Sequence, residues 1–364
     1  MIRKALVAGF IVLALSGCTG VVPFYSATDT LLEPCASASF WGVFWSPTGD
    51  QIASLVYASG QEAQIMVMNP DGSHMRAVGN TVPGGKDYLS WSPDGQSLAF
   101  SSRNRNNFNL YSANLQTGVL RQLTARNQND VMSSWSADSQ QIAYVSLDGR
   151  ADPGHRIYVA EADGTGERLL AAGSALVNEL AWSPDGKQIG YSAGAGAGML
   201  TVISPDGGSP VVISDGQGDD QALAWSPDSQ WIAFLSYRNW GTGVYAVRAD
   251  GSHLKRLSAS IDSNARPMWV DAEHVAYLSP RPANHLMVAN VQTGEVTQIT
   301  DYTVDGFFNP PSWSPDGLLS AVVAYDHSNP AMATTEIFIV NRFSGARTRI
   351  TDNPGKYTCI RLPH

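Results

Sequence analysis

The chain has 364 residues, of which 43% are apolar and only 15% are charged, and it carries 34 glycines and 20 prolines. Its 23 basic and 32 acidic residues give a net charge of −9. An acidic chain of this kind is not expected to bind nucleic acid, or to dock on anionic lipid through a basic patch. The composition favours an exported protein built from short strands and turns.

The first seventeen residues (1–17) are predicted to be an export signal and not part of the fold. Arg3 and Lys4 give a positive start, and the apolar run 5–15 is too short to cross a bilayer as a helix, which takes about 20 residues. The run ends in Leu-Ser-Gly-Cys, which resembles a bacterial lipobox. We therefore expect Cys18 to become the mature N-terminus and to carry fatty acids such as palmitate. An ordinary secretory signal with an incidental cysteine is the alternative.

Two or three acyl chains on Cys18 would anchor the protein stably to a membrane of the cell envelope. Thr19 follows the cysteine, where an aspartate would resemble an inner-membrane retention signal, so the outer membrane is favoured over the inner one. Residues 18–35 are predicted to be the lipidated N-terminus and a tether. The apolar residues at 21–25 leave open that part of this segment packs on the fold as an extra strand.

Residues 36–364 are dominated by a repeat. Tryptophans recur every 43 to 47 residues, at Trp45, Trp91, Trp135, Trp182, Trp225, Trp269 and Trp313. The unit at 182–192 begins Trp-Ser-Pro-Asp-Gly, where serine, proline, aspartate and glycine stand in the order that a type I turn favours. An apolar strand follows the turn, and a second hairpin and a short closing strand complete most units. Drifted turns stand at 46–49, 136–139 and, most of all, 270–273.

Four strands per unit and a period near 44 residues are typical of one propeller blade. A lone four-stranded sheet cannot bury both faces, but blades packed around an axis can. The sequence thus predicts an all-β protein, a seven-bladed β-propeller of four-stranded antiparallel blades. The blades are expected at 37–82, 84–125, 128–171, 175–215, 218–260, 262–301 and 304–352. The repeated tryptophans are interpreted as wedges between blades, not as a binding site.

The Trp-Ser-Pro-Asp-Gly units and their Ile-Ala-Phe-Ser type strands resemble the TolB-like propeller repeat of bacterial envelope proteins. The resemblance covers residues 36–355 and implies the propeller fold. The N-terminal α/β domain that accompanies the propeller in TolB itself has no counterpart in this chain. The resemblance is therefore specific for the fold and leaves the role open.

No catalytic set is apparent in the sequence. There is no Gly-x-Ser-x-Gly motif and no hydrolase domain after the propeller. The seven histidines do not cluster, which argues against a metal or acid–base role. No cofactor and no metal are expected.

The best candidate surface is the mouth, the end of the ring at which the innermost strands begin. Loops there carry more acids than bases, which suits a basic peptide, a metal ion or a polar glycan, although ordinary solvated loops would look similar. The predicted partner- or ion-binding residues are Asp87, Asp130, Glu179, Asp219, Asp220, Arg266 and Asp305. The favoured function is a non-catalytic, lipid-anchored, monomeric propeller that binds a protein or peptide. The alternatives are a pectin-type oligosaccharide lyase and a carbohydrate- or ligand-sensing module.

Cys35 and Cys359 remain after Cys18 is assigned to lipid. Cys359 lies 46 residues after Trp313, where an eighth tryptophan would stand, so its register returns it to the edge of the first blade. Both cysteines are expected at the seam that closes the ring. Because exported proteins keep disulfides, we predict a Cys35–Cys359 bond. Two separate buried thiols are the alternative.

Overall fold

The computed structural model describes residues 22–23, 33–34, 38–58, 62–79, 82, 84–104, 107–147, 154–173, 175–194, 198–238, 241–258, 266–280, 282–301, 311–325, 335–351 and 358–359. These residues form strands β1 to β31 and no helix. Accordingly, the described segments include no helix that could cross a bilayer. The predicted signal peptide and Cys18 lie outside this part of the chain.

Seven sheets of four antiparallel strands form the blades. The first three blades consist of β3 (Ala38–Trp45), β4 (Ile52–Ala58), β5 (Gln64–Met68) and β6 (Arg76–Val78); β7 (Lys86–Trp91), β8 (Ser97–Asn104), β9 (Asn107–Asn114) and β10 (Val119–Gln122); and β11 (Asn129–Trp135), β12 (Gln141–Leu147), β13 (His155–Glu161) and β14 (Arg168–Gly173). The next two consist of β15 (Val177–Trp182), β16 (Ile189–Ala193), β17 (Met199–Ile203) and β18 (Val211–Val212); and β19 (Asp219–Trp225), β20 (Trp231–Arg238), β21 (Gly241–Arg248) and β22 (Lys255–Arg256). The last two consist of β23 (Met268–Trp269), β24 (His274–Leu278), β25 (Leu286–Asn290) and β26 (Val296–Gln298); and β27 (Ser312–Trp313), β28 (Leu319–Tyr325), β29 (Thr335–Asn341) and β30 (Arg347–Arg349). The predicted fold class is confirmed.

The Ser-Pro-Asp-Gly turns are held by their own side chains. In the fourth blade, Ser183 Oγ donates to Asp185 Oδ1 (2.7 Å) and accepts from the backbone N–H of Gln188 (2.9 Å). In the sixth blade the turn at 270–273 lacks proline and glycine, yet Asp271 Oδ1 accepts two backbone N–H bonds of 2.9 Å. The drifted turn survives because the aspartate, and not the proline, supplies the acceptor.

Each repeated tryptophan ends an innermost strand and packs between blades. Six of the seven side chains are 7–9% exposed, and Trp91 is half-buried. Three of the indoles donate Nε1–H to a backbone carbonyl of the preceding blade over 2.9–3.1 Å: Trp91 to Phe44, Trp225 to Ala181 and Trp269 to Ala224. The wedge role predicted from the repeat is confirmed, and the indole also fixes the spacing of neighbouring blades.

The seam between the last and first blades is packed like an internal interface. The backbone N–H of Trp45 donates to Ser312 Oγ across the seam (2.7 Å), just as that of Trp182 donates to Ser134 Oγ inside the ring (2.9 Å). The seam has its own apolar core, formed by Phe40, Val43, Trp45, Ile52, Met68, Ala321 and Ile337. Each blade keeps its own four strands, so no strand is shared to close the ring.

Two short strands precede the first blade. β1 (Val22–Pro23) pairs with β10 and adds a fifth strand to the outer edge of the second blade. The alternative of an extra strand within the predicted tether is therefore the one that the structure adopts. β1 is antiparallel to β10, and β10 ends toward the mouth, so Val22 is at the end of β1 that is nearer to the mouth.

β2 (Glu33–Pro34) pairs with β31 (Thr358–Cys359) and joins the two ends of the chain. The pairing is antiparallel and sets Cys359 opposite Glu33, two residues before Cys35. Cys35 itself lies outside the described residues, so the disulfide stays a prediction.

Candidate functional site at the channel mouth

The innermost strands of the first five blades share a β-bulge between their start at the mouth and the repeated tryptophan. The register to the second strand shifts at 41/43, 87/90, 131/134, 177/179 and 221/224 in the first five blades. The residue three before the tryptophan takes a positive φ in four of them: Gly42 (73°), Tyr88 (51°), Met132 (56°) and Ala222 (53°). Bulges of this kind turn side chains out of the sheet and are common beside functional sites.

The bulged residues surround a cavity of about 380 Å³ at the mouth. It is lined by Trp41, Phe44, Leu55, Tyr57, Asp87, Tyr88, Leu89, Met132, Ser133, Glu179, Leu180 and Arg266. Three of the seven predicted mouth residues therefore meet in one place, although they come from the second, fourth and sixth blades. Concave, mostly apolar cavities with a few convergent polar groups are the usual form of a ligand site.

Glu179 and Arg266 form a two-pronged ion pair across the mouth. Arg266 Nη1 donates to Glu179 Oε1 (3.0 Å) and Oε2 (2.9 Å). The pair joins the fourth blade to the sixth. Burial raises the pKa of Glu179, while the adjacent guanidinium opposes that rise. The Arg266 side chain is 52% exposed, so solvent screens the pair and it contributes little to stability.

Asp87, from the second blade, has a different environment in the same cavity. Its Oδ1 accepts the backbone N–H of Tyr88 (2.9 Å), and within the described chain no lysine, arginine or histidine makes an ion pair with it. Burial raises the pKa of the Asp87 carboxyl above its ordinary value of 3.8. Its charge in turn raises the pKa of Tyr57 and of Tyr88, after burial as the larger cause.

Aromatic rings stand around this carboxylate. The rings of Trp41 and Tyr57 are 5.3 Å apart in a tilted pair, and Tyr88 meets Phe108 edge-on at 6.4 Å. Trp41 and Tyr88 are 37% and 38% exposed, more than most aromatics of this fold. These rings and Met132 were missed from the sequence. The signal that could have found Tyr88 and Met132 is their common position three residues before the repeated tryptophan.

Asp130 and Asp220 were expected at the mouth surface, but the structure places both between blades at 0% exposure. Asp220 accepts a hydrogen bond from Ser236 Oγ and pairs with Arg238 (3.3 Å). Arg126 lies 3.9 Å from Asp130. Neither carboxylate is accessible to a partner.

The remaining predicted mouth acids do not join the cavity. Asp219 is half-buried and accepts from the backbone N–H of Gly198 (2.7 Å) and from Gln221 Nε2 (2.8 Å). Its carboxylate therefore holds the turn before β17. Asp305 lies outside the described residues.

A second cavity, of about 580 Å³, lies between the second and third blades at the opposite end of the ring. Its lining is mixed and polar and includes Asp94, Arg121, Trp135, Glu161 and Asp163. None of the residues predicted for the mouth contributes to it.

Three of the described histidines, His74, His253 and His274, contact side chains of their own turns. His74 and His253 occupy equivalent turns with φ of 54° and 58°, and each ring lies within hydrogen-bond distance of the preceding serine (3.1 and 2.8 Å). His274 Nδ1 lies 2.7 Å from Asp271 Oδ1. Across the described residues, no three histidine, cysteine, aspartate or glutamate side chains are grouped as a metal site.

The sequence model of the TolB beta propeller domain matches residues 42–197, 140–284 and 181–332. An uncharacterized protein of Agrobacterium fabrum is 26% identical over 277 residues, which span 72% of this chain and 92% of that protein. The solved structure of a putative TolB from Agrobacterium tumefaciens has a TM-score of 0.51 at 20% identity, and the match covers 76% of this chain and 87% of that one. For oligogalacturonate lyase from Vibrio parahaemolyticus the TM-score is 0.63 at 14% identity, with 88% and 97% covered.

Similarity to these structures establishes a shared fold, and that fold serves a TolB protein and a lyase alike. The three family matches, by contrast, run without a gap from residue 42 to residue 332 and include the repeated tryptophans of all seven blades. This chain belongs to the TolB beta-propeller family.

Proposed function

We propose that this chain is a non-catalytic binding propeller of the bacterial envelope that engages a protein or peptide at its channel mouth. The observation that carries the proposal is the convergence of Asp87, Glu179 and Arg266 on one cavity beside exposed aromatic rings. Aromatic and arginine side chains are the residue types that dominate binding energy at protein interfaces.

The lyase alternative has less support from this site. An oligosaccharide lyase of the kind considered from the sequence would use histidines and a metal in the channel. The described lining of the mouth cavity contains no histidine and no cysteine, and one of its two acids, Glu179, is already paired with Arg266. A carbohydrate-sensing role fits the aromatic lining, but nothing in the cavity favours it over a peptide.

Site-specific photo-cross-linking in cells tests the proposal. A photoreactive phenylalanine analogue replaces Tyr88 at the mouth or, as the matched control, Leu318, which is 44% exposed in the first hairpin of the seventh blade at the opposite end. We expect a discrete cross-linked protein from position 88 and none from position 318. Equal adducts from both positions, or adducts from position 318 alone, would place the binding surface elsewhere.

The proposed anchor is a lipid on Cys18. Since Val22 is already paired in β1, only three residues separate the anchor from the ring, and a fully extended chain would cover about 14 Å between the two Cα atoms. Val22 is at the end of β1 that is nearer to the mouth, so this anchor would hold the second blade close to the membrane with the mouth on that side. A partner at the mouth would then meet the protein near the bilayer surface.

Cys18→Ser tests the anchor. Without the thioether we expect the protein to move from the detergent phase to the aqueous phase, or to accumulate with its signal uncut, because processing of this signal class follows acylation. Partitioning and intact mass report both effects. Unchanged partitioning with unchanged mass would show that the membrane attachment does not depend on this cysteine.

A further inference from the structure

The mouth cavity has an unbalanced charge. Its one base, Arg266, is already engaged by both carboxylate oxygens of Glu179. That pair is neutral as a unit, so the charge left in the cavity is the carboxylate of Asp87. Lys86, next to Asp87 in the chain, does not compensate it. The Lys86 ammonium is buried and donates to the carbonyls of Val82 (2.6 Å) and Gly84 (2.8 Å).

A partly buried carboxylate without a cation is unfavourable, because burial removes water and nothing replaces its stabilisation. The direction of the Asp87 pKa, raised by burial, agrees with this environment. A cation that enters the cavity would find both the carboxylate and the faces of aromatic rings, two features that attract positive charge in water-poor sites. The tilted pair of Trp41 and Tyr57 and the exposed ring of Tyr88 supply those faces.

We propose that the mouth cavity recognises a basic side chain of the partner, a lysine or arginine whose charged head pairs with Asp87 while its methylene stem lies against Trp41, Tyr57 and Tyr88. This rests on the proposed function and names the chemistry that the partner must present. Lysine and arginine combine a cationic head with an apolar stem. The head matches the carboxylate of the cavity, and the stem matches its aromatic rings. A divalent metal fits less well, since one carboxylate and aromatic rings do not supply the six or more oxygen ligands that calcium takes.

The test uses the full chain in detergent micelles and four small ligands of one design. N-acetyl-lysine methylamide and N-acetyl-arginine methylamide carry the cation, N-acetyl-norleucine methylamide keeps the stem without the charge, and N-acetyl-glutamate methylamide reverses the charge. Ligand-observed NMR titration gives the dissociation constants. We expect the two cationic ligands to bind at least about tenfold more tightly than the norleucine ligand, a factor that one charge pair with a cation–π contact can supply.

Asp87→Asn is the decisive variant, because it keeps the size of the side chain and the acceptor for the Tyr88 N–H. We expect it to remove the preference for the cationic ligands, at a cost of about tenfold or more in their affinity. Asp206→Asn is the matched control, since it removes the same charge from an exposed turn of the fourth blade at the opposite end of the ring. Thermal unfolding of both variants confirms that the fold is retained.

Glu179→Gln/Arg266→Gln removes the other ion pair of the cavity as a neutral unit, whereas Glu179→Gln alone would leave the Arg266 cation free to oppose the ligand. If Asp87 is the cation site, this double variant keeps the preference for lysine and arginine ligands. If the preference disappears with the double variant and persists with Asp87→Asn, the assignment to Asp87 is wrong. If the glutamate ligand binds best, Arg266 is the recognising group and the proposal is overturned.

The pH dependence gives a second readout. The described groups that face Asp87 are Tyr57, Tyr88, Glu179 and Arg266, and of these only Glu179 also titrates in the acidic range, with a raised pKa. In the Glu179→Gln/Arg266→Gln background, affinity for the lysine ligand should therefore fall as pH decreases through the raised pKa of Asp87. The loss should begin at a higher pH than an ordinary aspartate would give. Affinity that does not change with pH would contradict pairing with this carboxylate.

The outcomes also separate this inference from the proposed function. If the cross-link at position 88 forms equally in wild type and in Asp87→Asn, and the cationic ligands show no preference, the mouth binds a partner but not through a basic side chain. If neither the cross-link nor ligand binding is seen, the mouth is not the functional surface.

Discussion

Asp220→Ala is expected to destabilise the propeller by about 3–5 kcal/mol, the cost of leaving a buried charge without its partner. Arg238 is 7% exposed and lies 3.3 and 3.4 Å from the two oxygens of Asp220. It also donates from Nε to Ser236 (2.6 Å), pairs with Asp215, which is 39% exposed, and lies over the ring of Tyr245 (4.7 Å). Without Asp220 the only carboxylate that the guanidinium keeps among these contacts is the partly solvated Asp215. The midpoint of urea unfolding, followed by tryptophan fluorescence, measures the loss.

Asp219→Ala is the matched control for this prediction. The two aspartates are neighbours in β19 and look alike in the sequence, but Asp219 is half-buried and accepts only from Gly198 N–H and Gln221 Nε2. Its removal should cost about 1 kcal/mol, the usual net value of such hydrogen bonds. Equal costs for the two variants would contradict the placement of Asp220 between blades.

The double variant Asp220→Ala/Arg238→Met should recover part of the stability lost in Asp220→Ala. Burial raises the pKa of Asp220, with Ser236 and Arg238 acting in the opposite direction, so the pair does not fully offset its own desolvation. A methionine fills much of the same volume without a charge to desolvate, and such replacements of buried ion pairs are often neutral or stabilising. A double variant that is less stable than the single one would indicate that the guanidinium has other buried acceptors.

The fold could be predicted from the sequence because its signal is repeated. One Trp-Ser-Pro-Asp-Gly unit is a weak indication of a hairpin, but seven tryptophans at a nearly constant spacing, each followed by this turn or a drifted version of it, determine the number of blades. The turn at 270–273 did not disturb the prediction, since Asp271 retains the acceptor that holds the turn. Local chemistry and the long-range repeat thus indicated the same structure.

The site was predicted less well, because the sequence does not show which side chains of the innermost strands point into the blades and which point into the cavity. The sequence treated all polar residues before the tryptophans as one surface, whereas the position five before the tryptophan is buried in each of the first five blades. Its occupants are Phe40, Lys86, Asp130, Val177 and Asp220. Three of these residues are charged. Because charged residues are rarely fully buried, their residue types predicted a position on the surface. The charged groups of the cavity come instead from the positions three and four before the tryptophan, as do Trp41 and Tyr88.

The bulges explain why strand alternation could not separate these positions. An extra residue in the innermost strand changes the direction of the side chains that follow, and its presence is not visible in a pattern of apolar and polar residues. Tyr88 and Met132 adopt a positive φ although neither is glycine, so their residue types do not indicate a bulge in the sequence. The pairing of Glu179 with Arg266 depends in turn on both residues being aimed at the channel from blades that are not adjacent.

The bond predicted between Cys35 and Cys359 should make the largest single contribution to stability. It would close a loop of 324 residues, the difference between the two positions, and the chain-entropy treatment gives such a bond up to about 5 kcal/mol. The pairing of β2 with β31 brings the two ends of the chain together, and it sets Cys359 opposite Glu33, two residues before Cys35. In this register the two cysteine positions are diagonal neighbours, so the bond requires a departure from regular strand pairing after Pro34.

Thermal unfolding with and without reductant measures the contribution of this bond. Reduction should lower the melting temperature of the wild type, and Cys359→Ser should unfold at that lower temperature whether or not reductant is present. Peptide mapping without reduction should recover the two cysteines in one cross-linked species. Because the seam already has its own apolar core and the Trp45–Ser312 hydrogen bond, the reduced ring should still fold, and the bond should act mainly by restricting the unfolded chain. A melting temperature that is unaffected by reductant, together with two free thiols in exported protein, would mean that this packing alone closes the ring.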